Sequence, residues 1–103
     1  MNSVEDFELF KETLRAAAYG PFFPDWEFHT LFGLERSAFR ALADAFTPNT
    51  VIVGDVELAL RGAMNNLLGY PHGQEATWSE WLSVSPGELQ TVFSRFRSAR
   101  NVA

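Results

Sequence analysis

Asp25 and His29 stand four residues apart in a segment of helical spacing, so a carboxylate and an imidazole can meet on one helix face. His72 is the only other histidine, in a distant turn. A metal site needs three or four converging ligands with a supporting shell, and no HExxH-type motif occurs. Cysteine is absent, which removes thiolate ligands, thiol nucleophiles and disulfides together. The Asp25–His29 pair therefore reads as a surface contact holding a short helix, and no metal or cofactor is expected. Nucleophilic catalysis lacks a motif as well. There is no GxSxG, no SxxK, and no glycine-rich loop with the Lys or Ser that cradles phosphate. The expectation is a non-catalytic protein.

Two further groups are candidate binding residues. Asn65-Asn66 interrupts a helical pattern, although an Asn side chain competes for backbone hydrogen bonds there. Asn66 lies four after Gly62 and four before Tyr70, so it is placed to tie down the turn Tyr70-Pro71-His72-Gly73. The alternative is a small-molecule pocket, or a minor enzyme site, near Asn66, Tyr70 and His72. The second group is aromatic. Trp78, Trp81 and Leu82 form an i, i+3, i+4 stripe on a very short helix, and Trp26 follows the Pro-flanked pair Phe22-Phe23. Ten Phe, three Trp and two Tyr are generous for one small core. Tryptophan is enriched at interface hot spots, so Trp26, Trp78 and Trp81 are the candidate partner-binding residues.

The elements that must position these groups are read from periodicity and punctuation. Val4 to Tyr19 reads as a helix capped by Ser3, with Phe7, Phe10, Leu14, Ala17 and Ala18 inward. Gly20 is expected to close it in the left-handed conformation, with Pro21 barring continuation. Pro21–Pro24 reads as a stiff extended linker. Asp25 caps a short helix to Phe32, stopped by Gly33, and a further helix runs over about Glu35–Phe46. Gly33 between two helices suggests a helix-turn-helix at 25–46, but the second begins with Glu35 and carries only Arg36 and Arg40, so that reading is rejected. Thr50–Val53 is β-branched, yet no second alternating segment exists to pair with it, so it reads as an extended connection. Asp55 then caps a helix over about Val56–Leu68. Thr77-x-x-Glu80 has the capping-box spacing for a short helix near 76–82. Ser85-Pro86-Gly87-Glu88 combines a Ser cap, Pro at the first helical position and Glu at the third, opening a last helix to about Ala99. No internal repeat, low-complexity tract or interdomain linker is apparent.

These patterns give an all-α fold: a single domain over 1–103 with five or six helices, three longer and two or three short. A chain of this length can bury one real core. Formal net charge is −5, and all thirteen acidic residues lie at or before Glu88, while Arg95, Arg97 and Arg100 close the chain. An acidic body repels phosphate backbones, which excludes nucleic acid as the expected partner. The three arginines read as cations favouring the end of a helix dipole. The acidic opening does not resemble a secretory signal, and no apolar run reaches the ~20 residues needed to span a bilayer. The expected protein is soluble and cytoplasmic. It binds another protein or itself through an aromatic patch, as a toxin-neutralising or inhibitory protein covering a basic surface would; a structural subunit of a larger assembly is a further alternative.

Overall fold

The computed structural model describes residues 4–101, and side chains from Asp6 to Arg100. Its elements are α1 (Val4–Tyr19), α2 (Asp25–Phe32), α3 (Arg36–Ala45), α4 (Gly54–Gly69), α5 (Trp78–Trp81, entered through one 3₁₀ turn at Glu75–Thr77) and α6 (Pro86–Asn101). The protein is all-α, with no strand among the described residues. Thr50–Val53 is the extended connection that its lack of a pairing partner implied, and Val51 and Val53 face solvent.

The order of elements repeats. α1 begins at Val4 and α4 at Gly54, α2 at Asp25 and the turn into α5 at Glu75, α3 at Arg36 and α6 at Pro86, a constant offset of 50 residues. The packing repeats as well. α1 and α4 lie against each other at the centre, α3 flanks α1 as α6 flanks α4, and α2 reaches across to α4 as α5 reaches across to α1. The two halves are thus related by an approximate twofold, contrary to the absence of any repeat in the sequence reading. Between residues 1–50 and 51–100, only Pro21 with Pro71 and Phe46 with Phe96 keep the same residue. What persists is burial: Phe10 and Leu60, Leu14 and Met64, Phe28 and Trp78, Phe39 and Leu89, and Ala43 and Phe93 are buried in both halves. Cores constrain apolar character and total volume more tightly than identity, so the repeat survives in shape while its letters have changed.

α1 buries more than the single stripe its periodicity showed. Leu9, Thr13 and Ala16 join Phe10, Leu14, Ala17 and Ala18, because neighbours cover it on several sides. Thr13 carries the buried hydroxyl, satisfied by the Phe10 carbonyl at 2.8 Å. Chain stops follow the expected chemistry at Gly33, where φ is +73° and the amide closes onto the His29 carbonyl at 2.8 Å. Gly20 is different. Its φ is not positive, and glycine is needed there because a Cβ would stand 2.5 Å from the Ala16 carbonyl oxygen.

The expected helix starts divide. Ser85 and Glu88 form a complete capping box: the Ser85 amide donates to the Glu88 carboxylate at 2.9 Å, and the Glu88 amide donates to the Ser85 hydroxyl at 3.1 Å. Asp25, Asp55 and Thr77 do not cap. Pro24 and Val53 hold the cap positions of α2 and α4. Asp25 is inside the first turn and accepts from Arg36, while Thr77 donates to the Gln74 carbonyl. The cap at Ser3 lies outside the described residues.

Candidate functional site

The polar residues singled out in the sequence are spread over the seams between helices, where Asn66 and His72 are committed to backbone groups and Asp25 and Tyr70 to side chains. At the end of α4, His72 Nδ1 accepts the Gln74 amide at 2.9 Å, which places the proton of the neutral ring on Nε2. Nε2 then donates to the Leu67 carbonyl at 3.1 Å, one of the terminal carbonyls that the helix itself cannot pair. The ring meets Phe22 edge-on at 4.9 Å and faces Trp78 at 6.3 Å with the planes 26° apart. Both nitrogens are occupied, so His72 serves as a cap.

Tyr70 donates its hydroxyl to the Glu27 carboxylate, joining the loop after α4 to α2. That hydrogen bond, reinforced by desolvation, raises the phenol above the ordinary tyrosine range. Asn66 Nδ2 donates to the Leu31 carbonyl at 3.3 Å and to the Gly62 carbonyl at 3.0 Å. Asn66 therefore ties α4 to the end of α2 and not to the 70–73 turn, which Tyr70 and His72 hold themselves. Gly62 admits the Phe32 ring rather than a backbone, since a Cβ there would stand 2.9 Å from the ring edge. Asn66 lines a cleft between helices, while Tyr70 and His72 make their hydrogen bonds within and beside the loop after α4.

At the end of α1 the cap is a cation. Arg36 donates to the Ala17, Ala18 and Phe23 carbonyls and pairs with Asp25, with its guanidinium 4.4 Å from the centre of the Phe28 ring. Arg40 adds a bond to Ala18 at 3.0 Å. The two arginines weighed for a helix-turn-helix are thus spent inside the fold. Asp25 bonds to Arg36 and not to His29, because Arg36 reaches it from α3.

The tryptophans take three different environments. Trp78 is core, 7% exposed, with Nε1 donating to the Val84 carbonyl at 2.7 Å. Trp81 is half-buried and packs against the core. Trp26 is 81% exposed on the first full turn of α2. It is the outlier among the rings: its helix is anchored from the other side by Phe28 and Phe32, and its equivalent in the second half is Ala76.

A cleft of about 420 Å³ lies where α2, α4 and α6 meet, with Phe32, Leu58 and Phe93 as apolar surface and Arg61, Arg97 and Asn66 as polar groups. Sequence reading had Asn66 in view but missed the arginines, because nothing local in the chain places residue 61 beside residue 97. No group of His, Asp and Glu among the described residues is arranged to hold a metal ion. No described helix is long and apolar enough to cross a membrane. Comparison with protein-family models, curated proteins and solved structures finds no match.

Proposed function

We propose that the protein is a non-catalytic interaction module, acting in the cytoplasm, that docks another protein on the outer face of α2 with Trp26 as anchor. The observation that carries this reading is a tryptophan 81% exposed on a helix whose opposite face is fixed in the core. Trp26 contributes little to the fold, since the matching position in the other half is alanine. A ring held on a fixed helix loses little freedom on binding, and Trp anchors are typical of the few residues that dominate interface energies. The formal charge of −5 favours a partner with a basic surface.

A photoreactive phenylalanine analogue placed at position 26, in cells that express the protein, is expected to give a discrete cross-linked adduct. The same analogue at exposed Ser37 is expected to give none. With the adduct's partner purified, Trp26→Ala weakens binding by ~2 kcal/mol or more while leaving thermal unfolding unchanged. An absent adduct, or a Trp26→Ala variant that loses folding stability, overturns the reading. An adduct of twice the chain mass, with concentration-dependent sedimentation, identifies the partner as a second copy.

A further inference from the structure

We propose that the cleft between α2, α4 and α6 is a binding site for a small organic acid: a carboxylate carried on an apolar body. The pseudo-twofold carries the inference, because the seam related to this cleft by the twofold already contains a carboxylate. There Glu12, on α1, accepts both the amide and the hydroxyl of Ser83, just after α5, at 2.9 Å each. The counterparts of Glu12 and Ser83 are Gly62 and Gly33. Both line the open cleft, and no acidic side chain does.

The cations follow the same contrast. Lys11 is held at the end of α3, donating to the Ala43 and Phe46 carbonyls, which are available because that helix stops at Ala45. Its counterpart Arg61 has no such helix end to cap, since α6 runs on to Asn101. Arg61 turns back one helical turn to Glu57 at 3.1 Å and still borders the cleft. Arg97 stands where the first half has Thr47. It rests over the Phe93 ring at 4.6 Å, and the structure gives it no hydrogen bond or ion pair. A guanidinium offers a planar fork suited to a carboxylate.

The size agrees with a small ligand. Sites for such molecules commonly enclose ~300–1,000 Å³, with mostly apolar walls and a few polar groups that set orientation. Phe32, Leu58 and Phe93 would receive the apolar body, and Arg97, helped by Arg61, the carboxylate. Gly33 does not offer its amide, which is already given to His29, so guanidinium replaces the backbone donor that Glu12 finds at Ser83. Trp26 does not line this cleft, and the proposal is independent of the docking reading.

Titration of the ¹⁵N-labelled protein with 3-phenylpropionate, and separately with uncharged 3-phenylpropionamide, tests the assignment by NMR. The acid is expected to shift the amides of Gly33, Gly62, Asn65 and Arg97, leave those of Glu12 and Ser83 in place, and bind about tenfold more tightly than the amide. Arg97→Gln is expected to remove most of that preference, whereas Arg95→Gln, on the same helix outside the cleft, keeps it. Both positions are exposed, so both variants fold, as far-UV circular dichroism will show. Equal affinity for acid and amide, shifts centred elsewhere, no binding at millimolar acid, or an unaltered preference in Arg97→Gln each overturn the proposal.

Discussion

The two halves of this protein meet the same structural demands with different chemistry. Each central helix ends with carbonyls that it cannot pair. At the end of α1, Arg36 and Arg40 reach over from α3 to satisfy Ala17 and Ala18. At the end of α4, the loop's own His72 satisfies Leu67. The third helix of the first half stops early and is capped by Lys11, while that of the second half continues and needs no such partner. One seam is closed by Glu12 and Ser83; its counterpart, with Gly62 and Gly33, stays open. A repeated backbone plan therefore does not dictate repeated polar chemistry. Core positions are constrained by volume, but each cap can be met by any donor that reaches. That freedom leaves one of the two related seams open as a cleft and gives α2 an exposed tryptophan where the related turn has alanine.

The largest expected effect would break the equivalence of the cores. Phe39 and Leu89 hold matching positions and are both fully buried. Phe39→Ala should cost ~3–5 kcal/mol and Leu89→Ala ~2–5 kcal/mol in urea unfolding, through lost burial and the cavity left behind. If either cost fell below ~1 kcal/mol, its half would not be part of one cooperative core.

A smaller effect would sharpen the contrast between caps. Arg36→Leu strands the Ala17 and Phe23 carbonyls and the Asp25 carboxylate and leaves Ala18 to Arg40 alone, whereas His72→Leu strands the Leu67 carbonyl and the Gln74 amide. Each unpaired buried group costs ~1–3 kcal/mol, so Arg36→Leu should lower stability by more than His72→Leu. The reverse order would mean that the aromatic stack around His72, not its hydrogen bonds, holds the second half.

The smallest effect concerns pH and the starts of α3 and α6. The Ser85 backbone and side-chain hydrogen bonds hold the Glu88 carboxyl below the ordinary range. A depressed carboxyl stabilises the fold above its unfolded value, and that contribution is lost as pH falls through the folded value. α3 has Glu35 at its cap with no side-chain bond, so the first half has no counterpart. Ser85→Ala should therefore lower stability at neutral pH by ~1 kcal/mol, with the difference from wild type shrinking in acid. On the alkaline side, the Tyr70 phenol, raised by its bond to Glu27, and the Tyr19 phenol, raised by donating to the Asp44 carboxylate at 2.7 Å, contribute stability below their unfolded values, and lose it as pH rises through their higher folded values. Urea titrations of Ser85→Ala and Tyr70→Phe across pH separate the two limbs: the first variant flattens only the acid side, the second only the alkaline side.

By itself the sequence determined the helices, most of their ends, the aromatic core and the capping box at Ser85. All of these depend on neighbours within about one helical turn, where spacing is geometry. It also placed Thr50–Val53 outside any sheet. Asp25 read as a cap because a carboxylate before a helix usually is one; only Arg36, brought up by α3, gave it a different partner. Trp26 and Trp78 read alike as candidate interface rings on short helices, and only packing buried one and left the other in solvent. The twofold was invisible because residue identity had been erased while burial was kept. The cleft joins residues 33, 62 and 97, separated in the chain by tens of positions. Their meeting depends on how α2, α4 and α6 cross, and no local preference encodes that, because tertiary packing fixes the crossing only once every helix has buried its apolar face.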